Sequence, residues 1–225
     1  MLPLSSQRNP SLNYHYEEGK AWLGHCNAGI STTALSYAAF EFRLAIERIV
    51  LQYWYALSPG GIEEKDLKDI RSYKNIENRI YQLAGHQKQI DARFEFAHIV
   101  LEALKIDWPI ITPNLSGFSS YWHQCSELCH VAWTLVSENE KLVQEVYSTL
   151  QEISQFLEVY INGVVTWMRV EEMPFREVEE KFITGIATAD DIRKYLAEKG
   201  AWARVEYADA RPPHFIGEAI PPKKV

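Results

Sequence analysis

The segment from Ser31 to Leu57, STTALSYAAFEFRLAIERIVLQYWYAL, constrains the fold of this chain more than any other. Leu35, Ala38, Phe42, Ala45, Ile49, Tyr53 and Ala56 recur at helical steps and lay one apolar stripe along its length. Ser36, Arg43, Glu47 and Gln52 fall on the other side, and helical spacing makes Arg43 and Glu47 neighbours one turn apart. Ser31, Thr32 and Thr33 offer N-cap oxygens, and Ser58-Pro59-Gly60-Gly61 ends the run. A stripe this long needs several partners to cover it, so the segment predicts the central helix of a bundle.

The flanking sequence supplies those partners. Residues 1–30 are polar and interrupted by Pro3 and Pro10, which predicts an arm pinned to the body by Tyr14, Tyr16, Trp22 and Leu23. A second helix is expected over 61–85, with Leu67, Ile70, Tyr73, Ile76, Ile80 and Leu83 inward and Gly85 at its end. A third runs from about Lys88 to Lys105, on Ile90, Phe94, Ala97, Leu101 and Leu104. Pro109 and Pro113 impose a loop, and a fourth helix begins near Ser119 and carries SSYWHQCSELCHVAWTLV up to a turn at Ser137-Glu138-Asn139. The fifth and longest is expected from Glu140 to about Arg169, on Leu142, Val146, Leu150, Ile153, Leu157, Tyr160, Val164 and Met168. Two short helices ending at Gly185 and Gly200 follow, then a proline-rich tail able to form a strand or two. The expected class is all-α: an antiparallel bundle of about five helices over 31–170, with a small C-terminal appendage over 171–225.

Composition narrows the function. The 225 residues carry a net charge of −7, which argues against broad non-specific binding to nucleic acid or anionic membrane. Three cysteines without a framework spacing point to a reducing compartment. The N-terminal stretch lacks the pattern of a signal peptide, and no apolar run is long enough to span a bilayer, so the expected location is cytoplasmic.

Two stretches carry a family resemblance: AAFEFRLAIERIV (Ala38 to Val50) in the first long helix, and YWHQCSELCH (Tyr121 to His130) in the fourth. Together with the order of helices over 31–170, they resemble the HEPN superfamily, prokaryotic helical bundles of toxin–antitoxin and phage-defence systems. The resemblance implies an RNA-binding or metal-independent RNA-cleaving protein, a homodimer or partner protein, and no cofactor. The family's ribonucleases place an arginine, four to six intervening residues and then a histidine, usually paired across a dimer. Histidine suits proton transfer at neutral pH, and arginine presents a planar fork to a phosphate gaining charge. His130 matches the histidine. The positions before it hold Ser126, Cys125, Gln124 and His123, so His123 is the local stand-in for the arginine. Arg79 and His86, in RIYQLAGH, repeat the arginine–histidine pattern at the end of the second helix.

Each of these residues also has a plainer reading. His123 and His130 suit solvated helix positions, and Arg79 and His86 a solvated face and a cap. Arg43, Glu41 and Glu47 are candidate substrate-binding groups lining a groove, or simple surface pairs. Glu41 borders the buried stripe and needs a partner, for which a histidine or arginine of the fourth helix is expected. Cys125, Cys129, His130 and His25-Cys26 could be drawn as a zinc site, but structural zinc favours short C-x2-C knuckles, so no metal is expected. No phosphate loop, dinucleotide fingerprint or nucleophile elbow occurs. Seven tryptophans and twelve tyrosines exceed what a narrow bundle buries, which favours an interface. The alternative function is therefore a non-catalytic interaction subunit or scaffold of a larger complex.

Overall fold

The computed structural model describes residues 12–26, 31–58, 66, 72–130, 139–205 and 214–220. They are mostly helical. The helices are α1 (Leu12–His25), α2 (Thr32–Leu57), α3 (Tyr73–Ala84), α4 (Gln87–Ala103), α5 (Leu115–Leu128), α6 (Glu140–Asn162), α7 (Met173–Ile183) and α8 (Ala189–Lys199). Strands β1 (Ala201–Val205) and β2 (His214–Ile220) close an antiparallel pair, with a register irregularity between Ala201 and Ala203.

α2 is the hub, packed by α1, α3, α5 and α6. Leu35, Ala38, Phe42, Ala45, Ile49 and Tyr53 are fully buried, while Ala56 at the end of the stripe is half-buried. Ser31 caps the helix by accepting the Ala34 N–H at 3.4 Å, and Ser58 closes it by donating its N–H to Trp54 and Tyr55. α4 differs in burying two faces. Ile90, Phe94, Ala97 and Leu101 join the α2 core, whereas Phe96, Ile99, Val100 and Leu104 form a second core with Val170, Ile192 and Leu196. That second core docks α7 and α8, and Arg93 on α4 reaches Glu179 on α7 at 2.9 Å across its edge.

Several expectations are corrected. Residues 12–25 form a helix rather than an arm: Leu12, Tyr16 and Leu23 are buried, and α1 packs closely on α2. Gly19 permits that approach, since a Cβ there would lie 2.5 Å from the Phe42 ring. α5 starts at Leu115, because Asn114 caps it by accepting the Gly117 N–H at 2.9 Å. α6 ends at Asn162 rather than Arg169. The chain beyond Gly163 is extended, with the Val164 N–H donating to Pro109 O at 2.7 Å and the Ile111 N–H to Val164 O at 3.2 Å. Leu83 and Leu142 are exposed rather than inward, because Ile80 with Ala84 and Val143 with Leu150 take the core positions. Leu67, Ile70, Trp133 and the Pro-Gly-Gly turn lie outside the described residues. No described helix is long and apolar enough to cross a membrane.

Candidate functional site

α2, α3 and α5 meet in an aromatic and charged cluster. Arg43 donates through Nε to Glu47 Oε1 at 3.1 Å, the pairing that helical spacing predicts. The same oxygen accepts the Trp122 indole N–H from α5 at 2.8 Å. The Arg43 guanidinium lies over the Trp122 ring, 5.1 Å from its centre, and Tyr73 of α3 stacks on that ring at 5.0 Å with 15° between planes. A guanidinium held by one carboxylate and one indole face keeps its charge but loses its freedom.

The Arg43 guanidinium also lies near the Cys129 thiol, just past the end of α5, where the thiol donates to Cys125 O at 3.2 Å. Burial pushes that thiol above its ordinary range, and the neighbouring guanidinium acts against the shift. The next residue is His130, exposed, with its backbone N–H donating to Glu127 O at 3.2 Å. His123 is exposed two turns earlier, its ring edge-on to Trp122 at 5.1 Å. The fold thus brings Arg43 and Glu47 to α5, which carries His123 and ends two residues before His130.

Tyr73 is buried, and its hydroxyl has no hydrogen-bond partner among the described residues. Burial raises the phenol strongly, and the carboxylates of Glu77 and Glu47 add to that. Glu77, itself buried, takes Lys74 Nζ at 2.6 Å. Hydrogen bonding to that carboxylate raises the Lys74 ammonium.

The other candidates are placed elsewhere. Arg79 is exposed on α3 and donates to Gln82 at 3.2 Å, one turn on. His86 is the N-cap of α4, where its backbone N–H donates to Gln89 Oε1 at 2.9 Å. Both positions suit local helix chemistry. Glu41 does find a histidine, but from α1 rather than from the fourth helix: His15 Nδ1 and Glu41 Oε2 are 2.7 Å apart. With His15 only 6% exposed, this pair is a buried tether between α1 and α2. Trp122, Tyr73 and His15 were not singled out by spacing as members of these clusters. The usable signal was that a partly buried indole N–H or carboxylate requires a partner.

Cys26 is buried, donates its thiol to Trp22 O at 3.2 Å, and is pushed up to about 11 by burial. Among the described residues no group of three or more His, Cys, Asp or Glu side chains is placed to hold a metal ion. Comparison with protein-family models, curated proteins and solved structures finds no match for this chain.

Proposed function

We propose that the chain is a HEPN-like helical-bundle protein of a prokaryotic defence or toxin–antitoxin type that binds RNA and cleaves it without a metal, at the α2–α5 cluster. The supporting observation is that Glu47 and Trp122 hold the Arg43 guanidinium against α5, near Cys129 and so near the neighbouring, exposed His130. The arginine that the sequence before His130 lacks is supplied from α2. In this reading His130 takes the proton of a ribose 2′-OH as that oxygen attacks the adjacent phosphorus. The P–O5′ bond breaks, the leaving oxygen takes a proton from the imidazolium or water, and a 2′,3′-cyclic phosphate remains. Arg43 neutralises charge on the phosphoryl oxygens, with Glu47 and Trp122 fixing its orientation.

The test is cleavage of labelled RNA with EDTA present. The expected result is cleavage by the wild type and a loss of about 100-fold or more in His130→Ala. A folded wild type that leaves RNA intact at every concentration contradicts the proposal.

A second reading, a non-catalytic interaction subunit, is favoured by a different surface. Tyr37 and Phe40 project from α2 at 49% and 45% exposure, and Trp22 packs 4.8 Å from the Tyr37 ring. An intact wild-type RNA profile, with a second copy or a partner protein bound at Tyr37 and Phe40, selects that reading.

A further inference from the structure

The exposed face of α2 continues past Arg43 as a file of aromatic rings. Phe40 precedes Arg43 by three residues and Tyr37 precedes Phe40 by three, so each step is about 4.5 Å along the helix axis and about 60° round it. Both rings are exposed. Trp22 of α1 closes the far end against Tyr37, with ring centres 4.8 Å apart, and the His25 ring stands 6.0 Å from Trp22.

The near end of the file is the α2–α5 cluster. Trp122 is level with Glu47, and Cys129 is level with Arg43, so α5 runs antiparallel to α2. The end of α5 therefore reaches α2 at the turn of Arg43, one turn from Phe40, with the exposed His130 next in sequence. An arginine and a histidine thus begin the file, two exposed rings continue it, and a tryptophan and a histidine end it. An interface with a folded protein gathers its aromatics into a packed centre with a polar rim that excludes water. A narrow file of rings between basic side chains is instead the composition of a single-strand nucleic-acid site, where bases stack on ring faces and cations hold the phosphates. A duplex keeps its base faces in its own stack and offers such a file only phosphate and sugar.

We propose that Phe40 and Tyr37 are base-stacking residues for single-stranded RNA, holding the nucleotides that flank the phosphate at Arg43. This rests on the reading of the α2–α5 cluster as an RNA site. It adds the substrate class, unpaired RNA, and two binding residues that do not touch the reacting atoms. Phe40 takes the base nearer the phosphate, and Tyr37, backed by Trp22, takes the next. Every base has a π-face, so the file selects for unpaired bases and not for sequence.

The test is fluorescence anisotropy of a short labelled RNA, single-stranded or annealed to its complement. It is titrated with the full chain carrying His130→Ala, so that the RNA stays intact. The single strand is expected to bind more tightly than the duplex, with Phe40→Ala weakening it about tenfold and Tyr37→Ala weakening it less. Phe40→Tyr is expected to restore binding, whereas Phe40→Leu, apolar but without a ring, falls with Phe40→Ala. The salt dependence should be the same in Phe40→Ala, because no phosphate contact is lost. With His130 intact, Phe40→Ala should raise KM for cleavage more than it lowers kcat. Equal binding of single-stranded RNA with and without Phe40→Ala overturns the inference and leaves the cleavage reading standing. Ring-dependent binding without cleavage by the wild type upholds the stacking file and removes only the cleavage step. A folded chain that binds no RNA overturns both, and loss of self-association in Phe40→Ala would then make the file a protein contact.

Discussion

The two cores that share α4 are built on different terms. Five helices packed around α2 bury aliphatic and aromatic side chains from distant parts of the chain, and His15–Glu41 and Arg43–Glu47–Trp122 pair polar groups at its margins. The second core is smaller: one face of α4, Val170, and two short helices, with Phe96 against Phe175 and Phe182 at its centre. Phe94 and Phe96, two residues apart on α4, point into different cores. Apolar area sets the difference in strength, and a helix hydrophobic on two faces joins the parts.

The largest expected effect is on the first core. Phe42→Ala should cost about 3–5 kcal/mol and lower the stability of the whole chain in denaturant unfolding, because the cavity opens where α1 and α2 meet. Ile192→Ala, fully buried in the second core, should cost about 2–5 kcal/mol but act locally. Hydrogen exchange should then speed up in α7 and α8 while the amides of α2 stay protected. Global loss of protection would show that the two cores unfold as one.

His15→Ala is next, at about 1–3 kcal/mol, because it leaves the Glu41 carboxylate part-buried without its partner. A smaller loss in the double variant His15→Ala, Glu41→Ala than in His15→Ala alone would locate the cost in that orphaned charge.

The two short helices that complete the second core carry carboxylates with opposite pH behaviour, Glu179 buried at its edge and Asp191 exposed in the α8 cap. Burial raises Glu179 above its ordinary 4.5, with Arg93 opposing, so its contribution to stability is full below that value and is lost as pH rises through the folded one. Hydrogen bonds from Thr188 lower Asp191 below its ordinary 3.8, so its contribution is present above that value and is lost as pH falls through the folded one. Thermal melts of Glu179→Gln and Asp191→Asn across this range should each flatten the matching limb. The smallest effect is a gain: Lys105 holds φ 56° after α4, and Lys105→Gly should stabilise by about 0.5–1 kcal/mol.

The parts of this architecture readable in the sequence are those whose signals are local. α2 announces itself because its stripe runs nearly unbroken, and Arg43–Glu47 because the partners are one turn apart. α1 was hidden because its buried face includes His15 and Gly19, a polar residue and a residue without a side chain, justified only by Glu41 and the Phe42 ring. The end of α6 was hidden because Val164 and Met168 continue the helical spacing, while the hydrogen bonds that stop the helix come from Pro109 and Ile111. The site divides in the same way. His130 and Arg43 were legible as residue types, but α2 and α5 meet through a shared apolar core, and the Glu47–Trp122 bond across it joins residues 75 apart in sequence.

The central claim is that α2 supplies the arginine for His130, just past the end of α5. A double-mutant cycle measures it most directly, with single-turnover RNA cleavage in EDTA by wild type, Arg43→Lys, His130→Ala and the combined variant, each checked for fold by circular dichroism. The account predicts that Arg43→Lys lowers the cleavage rate without weakening RNA binding in proportion, and that the combined variant is no slower than His130→Ala alone. Wild-type cleavage rates in Arg43→Lys, or losses that multiply, would contradict it.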